Sequence, residues 1–157
     1  MRCPVAFPTF LTFLAACGAA AASGAFFPAD AWYRGLNKPD WTPKAWAFAV
    51  IWALLYLLIA AAAARVAGLA DARVGPALGF WAVQIALNTL WTPVVFGAHR
   101  IRAGLAVIGL LWLAVAATML AFLGLDLLAG LMLVPYLIWV SIAAALNYRL
   151  WRLNPGA

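Results

Sequence analysis

The sequence predicts an all-α membrane protein, a five-transmembrane-helix bundle, folded as one domain over residues 1–157. Three observations carry that prediction. The chain is 69% hydrophobic and only 9% charged, with a mean hydropathy of +1.03. Water-soluble domains carry about 25% charged residues, so lipid must be the solvent. The charges leave five uncharged windows, 3–29, 45–64, 74–98, 103–125 and 127–148. Each holds the roughly 20 apolar residues that a helix needs to cross a hydrocarbon layer of about 30 Å. No window alternates polar and apolar residues as a barrel strand would.

The first helix is expected at about 7–27. Its start, Met1-Arg2 with LAACG at 14–18, has the look of a lipoprotein signal with Cys17 as the acylated residue. A single arginine is a weak basic region and the apolar stretch is long for a signal. The reading adopted is a retained helix in which Cys17 is a small buried residue. Cys3 and Cys17 have no metal or redox spacing, so no metal site is expected. Residues 28–44, PADAWYRGLNKPDWTPK, form the one long connection. Its aromatics and two prolines, Pro39 and Pro43, suit an ordered lid. The remaining helices are expected at about 45–64, 76–97, 103–124 and 128–150.

Five crossings put the N-terminus, residues 65–73 and Asp126 at one end of the bundle, with Arg2, Arg65 and Arg73. The other end carries Arg34, Lys38, Lys44, Arg100, Arg102, Arg149 and Arg152. Seven cations against three place the N-terminus outside and the C-terminus in the cytoplasm. The net charge of +6 reads as this topology signal plus attraction to anionic lipid. No basic face on a folded domain exists for nucleic acid. Arginine outnumbers lysine eight to two and alanine is abundant, the composition of a GC-rich bacterial genome, and the expected location is a bacterial cell membrane.

The third helix carries the chemistry. At 100° per residue, Gly75, Gly79, Ala82 and Ala86 fall on one narrow arc. Trp81, Gln84, Asn88 and Trp91 fall opposite. The small face permits close backbone approach, to a helix of the same chain or to a second copy in a homodimer. Amides in hydrocarbon need partners. Gln84 and Asn88 therefore serve as helix–helix hydrogen bonds or as a binding site. Pro93 frees a carbonyl one turn earlier and bends the helix, which can open a cavity. On the second helix Phe48, Trp52, Leu55 and Ile59 form a stripe with Tyr56 beside it. On the fifth, Pro135, Trp139, Ala143, Leu146 and Leu150 form another, with Asn147 at its edge. Indoles on three inner stripes suit a large planar apolar ligand. Trp32, Trp46 and Trp151 fit a membrane-interface belt.

Several of these stretches together resemble the TspO family, the tryptophan-rich sensory proteins and mitochondrial translocator proteins. They are LTFLAACGAAAASG, WYRGLNKPDWTP, WAFAVIWALLY, QIALNTLWTPVVFG and VPYLIWVSIAAALNY, spread over nearly the whole chain. The patterns F-x3-W-x2-LY and LN-x2-W-[ST]-P are the specific part. The resemblance implies a five-helix bundle, usually dimeric, whose pocket binds porphyrins such as protoporphyrin IX and haem, held without a covalent link, under the first loop. It implies roles in tetrapyrrole transport, sensing and regulation, and in light-dependent porphyrin breakdown. Animal members bind cholesterol. The matching ligand-binding positions are Tyr33, Trp41, Phe48, Trp52, Asn88, Trp91, Pro93, Trp139, Ala143 and Leu146. Asp40 departs from the family, which in bacteria often has another tryptophan there. Leu146, Tyr148, Arg149 and Arg152 fit a proposed sterol pattern of low specificity. Tyr148 projects away from Trp139, so a sterol there would bind outside the bundle.

An enzyme of the ordinary kind is not expected. His99 stands alone beside Arg100 in a short exposed loop, and Asp71 and Asp126 occupy loops at the other end. No catalytic residues are assigned. Any chemistry would come from the excited porphyrin, with Trp52 or Trp139 as electron donor. The alternatives are a sterol- or lipid-binding membrane protein, or a scaffold whose tryptophans only pack.

Overall fold

The structure, a computed structural model, describes residues 7–156. Arg2 and Cys3 lie outside the described residues. Five stretches are long and apolar enough to span a membrane, of 20, 23, 24, 23 and 27 residues. α1 (Phe7–Phe26) is followed by a short helix, α2 (Ala31–Gly35), inside the long connection. Asp30 caps α2 by accepting the Tyr33 N–H at 3.0 Å, which is why the loop folds locally rather than staying extended. α3 (Ala45–Ala67) runs three residues past the expected end, because Arg65 points to a partner instead of to solvent. α4 (Val74–Thr92) continues into a π-helical turn, Pro93–Gly97. α5 spans Ile101–Leu123. The fifth span is not one helix. It divides into α6 (Leu127–Leu131) and α7 (Val134–Leu153) at Met132-Leu133, just ahead of Pro135. Proline favours the first turn of a helix and lacks the N–H that an unbroken ladder would require.

Around the bundle, α1 packs on α3 and α4, α4 on α5, and α5 on α7, while α3 and α7 meet over a short stretch only. The buried residues of α5 are Ile101, Gly104, Ile108, Leu111, Ala114, Val115, Thr118 and Phe122. Apart from Ala114 they repeat at spacings of three and four, a seam that faces neighbouring helices along its length. Ala60, Ala62, Ala63 and Ala64 of α3 are at most 1% exposed. Alanine keeps helix propensity high while letting backbones approach. Cys17 is fully buried in the middle of α1, as the retained-helix reading expects.

The two ends of the bundle sort as the loop order requires. At one, Asp126 takes the Arg65 guanidinium at 2.8 Å and also caps α6 through the Ala129 N–H at 2.9 Å. Asp126 occupies the loop position expected, and at 8% exposed it is a buried structural carboxylate. At the same end Arg73 holds the Asp71 carboxyl down at about 2. At the other end the long connection is tied to the C-terminus, Asn37 N–H to Asn154 Oδ1 at 3.0 Å and Asn154 Nδ2 to the Asn37 carbonyl at 2.9 Å.

Candidate ligand-binding site

A narrow cleft opens between α3, α4, α5 and α7. Phe48 and Trp52, Asn88 and Trp91, Ile108 and Leu111, and Val140 and Ala143 line it, two from each helix. Its enclosed space is only about 10 Å³, roughly the room of a single water. Small-molecule sites run roughly 300–1,000 Å³, so a macrocycle would enter only if the helices part.

The aromatic wall is continuous. Phe48 stands 6.1 Å from Trp52 and 5.8 Å from Trp139, ring centre to ring centre. Trp52 lies 5.2 Å from Tyr56 at a low angle and 6.0 Å from Tyr136 edge-on. These separations fall within the range of favourable ring pairs. Trp139 is buried, and its indole Nε1 has no acceptor.

The buried amides are satisfied by a residue outside the expected stripe. Asn88 Nδ2 donates to the Tyr136 hydroxyl at 3.0 Å, and that hydroxyl donates to Gln84 Oε1 at 2.8 Å. Gln84 Nε2 is left without an acceptor. Pro135, expected on the inner stripe of the fifth helix, is exposed, and Tyr136 is fully buried in its place. With the helix starting only at Val134, the first turn is set by its docking on α4 and α5, and one step of 100° exchanges the two residues. A second amide closes the neighbouring level. Asn147 accepts the Trp91 Nε1–H at 3.3 Å and donates to the Ile101 carbonyl at 3.0 Å. Gly104 is required there, since a Cβ would overlap Val95 and press on Asn147.

Pro93 opens the π-helical turn, in which the Ala98 N–H reaches back to the Pro93 carbonyl at 2.8 Å. This places Phe96 edge-on to Trp91 at 5.6 Å and to Tyr33 at 5.0 Å. Tyr33 of the long loop thus touches the cleft through Phe96. Burial pushes its hydroxyl pKa up. Pro93 and Leu146 are half-buried but do not line the cleft, and Trp41 is 48% exposed and away from it. Trp81 is also separate. It packs edge-on against Phe13 and donates to the Ile59 carbonyl at 3.3 Å.

His99 is exposed, as expected, but not alone. Its Nε2 meets Asp30 Oδ2 at 2.9 Å and its ring stacks on Trp32 at 4.3 Å. Its backbone is left-handed, with φ of 55°, a conformation uncommon outside glycine. The Tyr33 backbone N–H, assisted by His99, holds the Asp30 carboxyl below its ordinary range. Asp30 therefore joins the loop to the α4–α5 corner while capping α2.

Gly75, Gly79, Ala82 and Ala86 are all exposed, and a Cβ on either glycine would meet nothing within 4 Å. The small face is turned away from the helices of its own chain. Tyr148 is 44% exposed, on the outside of α7 as its position predicted.

Neither Ile108 and Leu111 of α5 nor Val140 was among the expected lining residues. The signal that could have found the α5 pair is the Gly104–Leu111–Thr118 heptad, since a glycine and a threonine on one stripe mark a close, shielded contact.

The TspO/MBR family profile matches residues 10–152. Over 149 residues the chain is 54% identical to protein CrtK of Rhodobacter capsulatus, covering 94% of this chain and 93% of that one. Over 145 residues it is 54% identical to a tryptophan-rich sensory protein of Cereibacter sphaeroides, covering 92% and 90%. Over 129 residues it is 38% identical to the human translocator protein, covering 80% and 76%.

Proposed function

Since the chain belongs to the TspO/MBR family, we propose that this integral membrane protein takes a tetrapyrrole, protoporphyrin IX or haem, between α3 and α7 and acts in its transport or sensing. The observation that carries this reading is the convergence on one cleft of Phe48, Trp52 and Trp91, with the Trp139 indole against Phe48. A flat apolar ring gains from stacking on such a wall, about 0.5–1.5 kcal/mol for each aromatic pair beyond burial. Trp139 Nε1, lacking an acceptor, offers a donor to a ligand oxygen. The long loop, held by His99, Phe96 and Asn154, is the natural cover. Light-driven breakdown of bound porphyrin belongs to the same reading, with Trp52 or Trp139 supplying the electron.

The reading extends to assembly and orientation. The uncovered small face of α4 joins two copies. The end bearing the long loop and the C-terminus, rich in lysine and arginine, faces the cytoplasm.

Quenching of tryptophan fluorescence by protoporphyrin IX in detergent tests the site. Wild type should quench saturably, and the Trp52→Ala/Trp139→Ala variant should bind about tenfold more weakly, the loss of two stacking contacts. Equal binding and equal light-driven loss of porphyrin in the two proteins would refute it. Porphyrin loss in the dark would point instead to an enzyme.

A further inference from the structure

Among the described residues, the cations at one end of α5 and α7 meet no carboxylate. The chain has four acidic residues, all aspartate. Three of them pair with Arg65, Arg73 and His99. Arg100, Arg102, Arg149 and Arg152 are exposed and enter no ion pair among the described residues. A topology signal alone would be content with these charges anywhere on the rim. Instead, the Arg102 guanidinium lies over the Trp151 ring at 5.8 Å, and Tyr148 meets the same ring edge-on at 5.8 Å. Arg152, four residues after Tyr148, falls on the same face of α7.

A second tie joins the two helices deeper down, where Trp112 Nε1 donates to Ser141 Oγ at 2.9 Å. From Arg102 to Trp112 is ten residues on α5, and from Trp151 back to Ser141 is ten on α7. The two antiparallel helices are therefore in register over about 15 Å, half of a hydrocarbon layer of about 30 Å. Between the ties several outward residues are small, although Leu110 and Ile142 also reach the surface there. Ala106, Gly109 and Ala145 are exposed, and a Cβ on Gly109 would meet nothing within 4 Å. The strip between α5 and α7 is thus cationic and aromatic at its mouth, with an apolar bed running down to the Trp112–Ser141 tie.

The geometry points to a bound anionic phospholipid, its phosphate on Arg102 and Arg152 and one acyl chain along the bed between α5 and α7. Guanidinium groups match phosphate oxygens in geometry as well as charge, and stacking on Trp151 holds Arg102 without consuming its N–H donors. Basic pockets between membrane helices select such headgroups. A sterol hydroxyl carries no charge to answer two guanidiniums, and free phosphate would leave the bed without a function.

The test is native mass spectrometry of the protein released from nanodiscs holding equal phosphatidylglycerol and phosphatidylcholine. Wild type should retain phosphatidylglycerol preferentially. Arg102→Gln/Arg152→Gln should lower that preference about thirtyfold, each arginine near an anionic headgroup contributing roughly a factor of five. Lys44→Gln, at an exposed cation of the same end just ahead of α3, should leave it unchanged. Gly109→Leu, which fills the bed with both arginines in place, should reduce retention and provides the reading if the double variant does not fold. Equal retention of the two lipids by wild type would overturn the proposal. So would an effect of Lys44→Gln as large as that of the double variant, or displacement of phosphatidylglycerol by an equal amount of cholesterol.

Discussion

Removing one oxygen atom from the core, Tyr136→Phe, tests how the buried amides are held. The Tyr136 side chain is fully buried, and its hydroxyl makes two bonds, from Asn88 at 3.0 Å and to Gln84 at 2.8 Å. Interhelical hydrogen bonds in membranes average about 0.6 kcal/mol, so the bonds themselves account for roughly 1 kcal/mol. The larger part is what remains afterwards. Gln84 Nε2 already lacks an acceptor, so the variant leaves the whole Gln84 carboxamide unpartnered by orphaning one further atom, Oε1, while Asn88 keeps the Tyr56 hydroxyl. Each buried orphan costs about 1–3 kcal/mol, which brings the expected loss to about 2–4 kcal/mol. Graded unfolding in mixed micelles, followed by near-ultraviolet circular dichroism of the tryptophans, measures it. Gln84→Leu supplies the control. It removes the orphan amide and leaves the hydroxyl accepting from Asn88, so combined with Tyr136→Phe it should cost less than the sum of the two, by about 1 kcal/mol. A loss below roughly 0.5 kcal/mol for Tyr136→Phe alone would show that the amides find other partners and that this chain of bonds does not order the site.

The long loop should loosen in acid. Asp30 has a lowered folded-state pKa, so its contribution is present above the unfolded value of about 3.9. It is lost as pH falls through the folded value, and protease cleavage within 28–44 should rise below about pH 4 in wild type but not in Asp30→Asn, which should start from a higher rate. Cleavage there should also fall when protoporphyrin IX is added; equal rates with and without it would argue against a cover. Gly79→Leu should give monomers in mild detergent, by size-exclusion with light scattering, that still bind porphyrin, whereas lost binding with the dimer intact would put the small face inside the protein. Asp126→Asn should destabilise by about 3 kcal/mol, the lower end for breaking a buried ion pair, because Arg65 is still 23% exposed. An unchanged unfolding midpoint would mean that the pair is solvated.

The membrane fold was legible because it rests on composition and length. Five uncharged windows in hydrocarbon have only one way to satisfy their backbone, as helices. Much of the third helix was legible for a related reason. Amides are costly facing lipid, so Gln84 and Asn88 had to turn inward, whereas the outward turn of the glycine and alanine arc was only one of two readings open in the sequence. The fifth helix was less transparent. Pro135 and Tyr136 differ by one step of rotation, and the helix start that fixes the rotation depends on the break at Met132-Leu133. α5 gave little to read, since in a segment apolar on every side hydrophobicity cannot tell lipid from core.

By itself, then, the sequence determined the solvent, the number of crossings, which loops share an end, and which face of α4 meets its own bundle. These follow from the cost of charge and unpaired polar groups in lipid, and that cost is paid residue by residue. Tertiary structure alone decided which partner answers each polar group: Tyr136 for Asn88 and Gln84, Asn147 for Trp91, Arg65 for Asp126, and His99 for Asp30. Those pairings join residues 48 to 69 positions apart. Hydrogen bonds act only over about 3 Å and within a narrow range of angles. Which groups come that close is set by the rotation and depth of whole helices against one another, and no local pattern in the chain encodes it.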